Sequence, residues 1–353
     1  MSTLTGAARR HADLYLRPEQ NAHYNWRLGI GVAAIVGLPI AFGVAVDERT
    51  VGVVASLAAW FVALAIPEAH PGLRLFVLGR RAAILTVAFA AGLLASPSVG
   101  LSVLGILVLG MLIPVPGMTI TPLVTFVMGL NLAPGTETGS GTVAFGVGAC
   151  WAVALMMVPF VGGRYAAERP PRGPRRPIVA TVHGHVRSGS PEFRYAAQAA
   201  ICCAVAYVVL KLLDWPHESW AIVGILTTLR PTWEATHARV VKRSVGMVGG
   251  AVLTAVMLAV VAQTSVWVGI VTIAVFGGLA RPLRQFNYGY WPIFGTPVLL
   301  LLVSVTDHFH TIDAVYRLGN NLLGAAVTLA AVNLLWPHRV QHPRGGFRQE
   351  RSA

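Results

Sequence analysis

The chain has 353 residues, 55% hydrophobic and 12% charged, with a mean hydropathy of +0.65; a soluble domain carries about a quarter charged residues, so a soluble or disordered protein is excluded. Lys and Arg number 27 against 14 Asp and Glu, a net charge of +13; clustered on a folded surface this would point to nucleic acid, so the positions of the charges decide its meaning. The three cysteines, Cys150, Cys202 and Cys203, lie inside apolar runs without disulfide or zinc spacing, and read as packing residues.

Residues 1–22 contain Arg9, Arg10, Asp13, Arg17 and Glu19 and no apolar core, so the expectation is a cytoplasmic N-terminal segment and a retained first anchor rather than a cleaved signal peptide. Apolar runs follow near 28–46, 51–66, 82–95, 99–113, 118–130 and 142–161. Residues 163–194 hold five prolines and seven arginines, the composition of an extended solvated tether. Further runs lie near 196–213, 219–229, 244–262, 266–280, 293–305 and 318–336, before a basic tail over 339–353. A full span needs about 20 residues, so the runs at 118–130, 219–229 and 293–305 are short; tilt, extension by flanking turns and re-entry are all open for them.

The expected class is therefore an all-α integral membrane protein with about twelve transmembrane helices, several of them short or broken. With a cytoplasmic N-terminus and twelve crossings, 24 of the 27 basic residues fall inside, leaving +17 inside and −4 outside. That is the positive-inside bias of an inserted helical protein, with both termini cytoplasmic. The basicity becomes topological, and no nucleic-acid partner is expected.

The tether divides the runs six and six. Residues 139–159 align without a gap on 317–337, matching Gly146 to Gly324 and Pro159 to Pro337; Thr121-Pro122 likewise matches Thr296-Pro297, and Arg81 matches Arg243. An even number of spans per unit makes the repeats parallel, with domains at 23–162 and 195–338. Internal symmetry of this kind is common in transporters.

A helix beginning near Thr232 places Thr236, Arg239, Arg243, Gly246, Gly250 and Thr254 on one stripe, about 80° wide at 100° per residue. Gly246 and Gly250 form a GxxxG pair that admits a close neighbour. Arg74, Arg81, Ala88 and Gly92 repeat the stripe in the first half, and Arg317, Asn320, Asn321, Gly324 and Thr328 form a third. Lys242 reads as a headgroup anchor. For Arg243 two readings are open: snorkelling to the headgroups, or a polar path for anions, which guanidinium groups bind in bidentate fashion.

Gly/Pro-punctuated segments recur at matching positions around Thr121 and Thr296, and such breaks point to a transporter's substrate region. Trp291, Tyr288 and Tyr290 fit an interfacial aromatic belt, and stacking on an aromatic substrate by Trp220 or Trp291 is the alternative. Asp307, His308, His310 and Asp313 form one outward titratable cluster, either a solvated mouth or a proton-coupling group; the spacing matches no metal motif. The sequence has no GxxxxGK[ST], HExxH or GxSxG, so neither an ATPase nor an enzyme of these classes is expected, and no cofactor or metal.

Trp220-Ala-Ile, Pro231, Thr236 and Arg243-x-x-Gly246-x-x-x-Gly250 resemble the signature of the fusaric acid resistance and aromatic acid exporter family, and Arg317, Gly324 and Trp336-Pro337 resemble its closing helix. The resemblance covers about 195–338 and is faint over 23–162, where Ile84 replaces a signature glycine; Met247 replaces the family's threonine. It implies efflux of organic, often aromatic, carboxylates, and its similarity to plant aluminium-activated malate transporters implies six-helix units around a basic pathway. The expectation is a secondary exporter of small organic anions in the bacterial plasma membrane. Arg243, Arg81, Arg239 and Arg74 would attract the carboxylate, and Thr236, Thr254, Asn320, Asn321, Thr121 and Thr296 would line the path. A passive anion channel on the same frame, or a non-transporting scaffold subunit, is the alternative.

Overall fold

The computed structural model describes residues 24–65, 70–115, 118–131, 138–163, 180, 184, 187–261, 264–306 and 311–334. Six helices of more than two turns precede the tether region: α1 (Trp26–Ala45), α2 (Arg49–Ala63), α3 (Pro71–Ala95), α4 (Val99–Met111), α5 (Thr121–Leu130) and α6 (Thr138–Met157). Six follow it: α7 (Pro191–Leu212), α8 (Glu218–Thr228), α9 (Trp233–Val261), α10 (Val266–Phe286), α11 (Tyr290–Ser304) and α12 (Thr311–Leu334). No strand occurs among the described residues.

Local sequence explains where the helices begin. Asn25, His70, Ser98 and Ser190 each accept a first-turn backbone N–H with the side chain, and Thr232 Oγ1 does so for Ala235 at 3.3 Å. Such caps satisfy donors that have no water partner once the helix end is taken into a bilayer. Pro71 and Pro191 follow their caps directly, where a missing N–H is harmless.

Among the described residues, six helices are long and apolar enough to cross a membrane: Trp26–Ala45, Pro71–Ala95, Thr138–Met157, Pro191–Leu212, Trp233–Ala259 and Val266–Phe286. The helices in the runs read as short are short: α5 has 10 residues, α8 has 11 and α11 has 15. Ten residues rise about 15 Å, half of a hydrocarbon core about 30 Å thick. Large side chains such as Phe42, Val87, Leu94, Val147, Val252 and Val271 point outward around the bundle. An outward apolar surface is stable in lipid and not in water, so the chain is a multi-pass membrane protein.

The interior is made by small residues and short helices. In the first half α2 packs on α6, and α3 on α5 and α6; in the second half α8 packs on α12, and α9 on α11 and α12. Between halves, α1 lies along α10 and α4 along α7, while the short helices meet as α2 with α11 and α5 with α8. Gly246 and Gly250 bring α9 against α11: a Cβ on either would lie within 2.6 Å of a carbonyl oxygen, of Gly289 or Pro292 respectively. Gly324 does the same for α12 on α8, 2.5 Å from Ala221 O. At the matching contact of α6 on α2 the tight residue is Gly148, whose Cβ would fall 2.0 Å from Ala55 O, and not Gly146, whose nearest neighbour is Thr86 Cγ2 at 3.7 Å. The shift follows from the wider stripe of small residues on α6, which offers Ala144, Gly148 and Ala152 to α2 on the four-residue period of a helix face.

Candidate functional site

Four short helices meeting at the centre leave room between them, and the long helices fill that room with arginines. A cavity of about 720 Å³ is bordered by Trp60 and Phe61 of α2, Thr121 and Val124 of α5, Val223 and Thr227 of α8, and Trp291 and Thr296 of α11. Into it face Arg80 and Arg81 from α3, Arg230 from the turn after α8, Arg239 and Arg243 from α9, Arg284 from α10 and Arg317 from α12. Among the described residues, no Asp or Glu lines the cavity. Exposure falls from Arg80, which is exposed, through the half-buried Arg81, Arg230, Arg239 and Arg284, to Arg243 and Arg317 at 5% and 6%. The cavity thus has a mouth at the end where α3 and α9 begin and a buried floor.

Arg243, Arg81, Arg239, Arg284 and Arg230 meet neutral groups. Arg243 donates from Nε and Nη2 to Asn321 Oδ1 at 3.2 and 2.7 Å, and from Nη1 to the Tyr288 hydroxyl at 3.3 Å. Arg81 donates to Phe61 O at 3.0 Å and to Thr121 Oγ1 at 3.1 Å. Arg239 lies over the Tyr288 ring and Arg284 over Trp291, at 3.0 and 5.2 Å from the centroids. Trp291 stacks on Trp60 at 5.1 Å, which joins the two halves across the cavity. Arg230 donates to Leu229 O and Thr227 O, the last carbonyls of α8, and Arg281 donates to Ala63 O and Ala65 O at the end of α2. Guanidinium groups so placed satisfy the free carbonyls of helices that end inside the bundle.

Of the residues singled out from the sequence, Arg243, Arg81, Arg239, Thr121, Thr296 and Trp291 come together on the cavity wall. Asn321 stands behind Arg243, and Thr236 bonds the backbone of Arg230, so both act on the wall from outside it. Four others lie elsewhere. Arg74 is buried against Gly163 O, and Thr254 bonds Gly250 O within its own helix. Asn320 accepts from the Trp215 indole and donates to the carbonyls of Pro216 and His217, fastening the α7–α8 turn to α12. Trp220 lies under the Arg317 guanidinium, outside the cavity lining. Asp307, His308 and His310 and the side chain of Asp313 lie outside the described residues.

Sequence reasoning missed Arg80, Arg230, Arg284, Arg317, Tyr288 and Trp60 as wall residues. Arg317, read from the sequence on the third polar stripe, is buried in the bundle. The helical spacing of Arg317, Asn321, Gly324 and Thr328, at steps of four, three and four, was the available signal. Trp60 had none, because an apolar run gives no hint of which side chain will face a cavity.

The lining suits the recognition of anions. Seven positive charges, with no acidic lining residue among those described, in a setting of low dielectric, attract negative charge strongly. Guanidinium forks suit carboxylates, and the tryptophan pair offers an apolar wall beside them. Among the described residues no group of His, Cys, Asp and Glu is arranged to hold a metal.

Fold and cavity together define a helical, multi-pass membrane protein with a basic internal chamber. Residues 202–331 match the model of the family described as fusaric acid resistance protein-like. A Haemophilus influenzae protein without an assigned function is 26% identical over 160 residues, 45% of this chain and 22% of its own length. The Escherichia coli inner membrane protein YccS is 25% identical over 153 residues, 43% of this chain and 21% of its own. A Neisseria gonorrhoeae protein, ORF2, is 24% identical over 147 residues, 41% and 34%. The chain thus spans only about a fifth to a third of the length of these relatives. No solved structure matches the chain significantly.

Proposed function

We propose that the protein is a secondary-active exporter of small organic anions, aromatic carboxylates among them, in the bacterial plasma membrane. The observation that carries this reading is the cavity with seven arginines and, among the described residues, no carboxylate in its wall. The match to a family named for fusaric acid resistance supports the substrate class, and the likeness to an inner membrane protein supports the location. The Trp60–Trp291 pair supports aromatic cargo, since a planar anion beside it would bury its ring while its carboxylate meets Arg243 or Arg81.

In this reading the twelve helices all cross, both termini are cytoplasmic, and the cavity mouth faces the cytoplasm. The halves are parallel six-helix repeats. Their packing supports that: α2 on α6 is answered by α8 on α12, α3 on α5 by α9 on α11, and α1 on α10 by α7 on α4. Rocking of the halves about the paired short helices would alternate access. The buried floor favours a carrier over an open pore.

Uptake of benzoate into inverted vesicles, with and without an imposed pH gradient, tests the function. Gradient-dependent accumulation is expected. Flux that follows only the electrochemical gradient of benzoate would make the protein a channel, and no flux would leave a scaffold role. Arg243→Gln and Arg81→Gln, checked for normal insertion, should each lower the rate about tenfold or more, the effect of one lost charge-assisted contact. Wild-type rates in both would remove the arginines from the path.

A further inference from the structure

Two wall arginines, Arg239 and Arg317, have a buried Nε without a hydrogen-bond partner. Arg239 is half-buried, whereas Arg317 is only 6% exposed, so of the two only Arg317 lies at the floor. Its guanidinium lies 5.0 Å from the centroid of the Trp220 ring. Trp220 is not part of the cavity wall, so the indole backs the guanidinium, which borders the cavity.

The neighbouring amide offers Arg317 no acceptor. Asn321, one turn further along α12, gives its Oδ1 to both Nε and Nη2 of Arg243 and its Nδ2 to the Arg317 carbonyl at 2.8 Å. Arg243 itself is a second positive charge beside it on the floor. A buried guanidinium without a carboxylate is strongly unfavourable unless an anion joins it, and the face of one indole offsets only part of that.

We infer that Arg317, backed by Trp220, is a second anion-binding station at the buried floor of the cavity, separate from the mouth cluster of Arg230, Arg239 and Arg284. It rests on the reading of the cavity as an anion path, and it adds an order of events. A carboxylate or another single small anionic group is captured at the mouth, passes Arg243, and is held at Arg317 before the far side opens. Arg243 is pinned by Asn321 and Tyr288, whereas Arg317 keeps a free donor for the cargo.

Bromide and benzoate are the probes. Crystals of the full chain grown in bromide should show two anomalous peaks, one within the mouth cluster and one within hydrogen-bonding distance of Arg317. Arg317→Gln should lose only the floor peak, and Arg317→Lys should keep it. In inverted vesicles Arg317→Gln should leave half-saturating benzoate within about twofold and lower the maximal rate about tenfold. General misfolding would instead impair the mouth as well. A wild-type mouth peak without a floor peak, or a floor peak that persists in Arg317→Gln, overturns the inference. Bromide at neither station overturns it together with the reading of the cavity as an anion path.

Discussion

At the scale of single residues, the decisive feature is that Arg243, the deepest arginine of α9, is held by neutral groups. Asn321 takes two donors of Arg243 without neutralising it, so the charge remains available to cargo. Two substitutions separate positioning from charge. Asn321→Leu removes the acceptor and leaves the charge, and should weaken benzoate binding by about tenfold through lost orientation. Asn321→Asp restores the acceptor but adds a negative charge; at contact distance this is worth up to about 4 kcal/mol at an effective dielectric of 20, so it should weaken binding more than leucine does. Calorimetric titration of the purified protein with benzoate gives the order. Tighter binding by Asn321→Asp would mean that benzoate does not bind beside Arg243.

At the scale of elements, the short helices are possible because their neighbours let them come close and satisfy their ends. Gly148 has no room for a Cβ, with Ala55 O 2.0 Å away, whereas a Cβ at Gly79 in the middle of α3 would meet nothing within 4 Å. Gly148→Ala should therefore destabilise by about 1–3 kcal/mol through overpacking between α6 and α2. Gly79→Ala should stabilise by about 0.4–1 kcal/mol, because it lowers the entropy of the unfolded chain without a clash. Melting temperatures in one detergent decide both, and opposite signs are the expected outcome. The helix boundaries were largely legible: caps at Asn25, Ser98, Ser190 and Thr232 and prolines at helix starts are local signals. Which glycine of α6 meets α2 was not, since Gly146 and Gly148 both lie in a run of small residues and only the crossing point of the helices chooses between them.

At the scale of the whole molecule, two consequences follow from a cavity that concentrates positive charge. An anion that binds only the folded protein stabilises it by mass action, about 2.7 kcal/mol at a hundredfold excess over the dissociation constant. Benzoate should thus raise the melting temperature of the wild type, and should raise it less in Arg243→Gln. Equal shifts in the two proteins would place the anion elsewhere. The second consequence concerns topology. Under the proposed topology of twelve crossings both ends of the chain lie on one side, so single cysteines introduced into residues 1–22 and 339–353 should both be labelled by an impermeant reagent only from the cytoplasmic face. Labelling from opposite faces would require an odd number of crossings.

The sequence by itself determined the class: apolar runs, two similar halves and an arginine on each of two polar stripes, because composition and helical periodicity are properties of the chain alone. It also determined that α5, α8 and α11 would be short, since their lengths are written in the spacing of prolines, glycines and charges. Only the tertiary structure decided what those features build. Trp60 from one half and Trp291 from the other stack across a single chamber, Arg281 of α10 bonds the carbonyls that end α2, and Arg317 turns inward on Trp220. The physical reason is that each of these contacts joins residues nearly a hundred or more positions apart, and neither helical period nor loop charge carries information about which distant surface a side chain will meet.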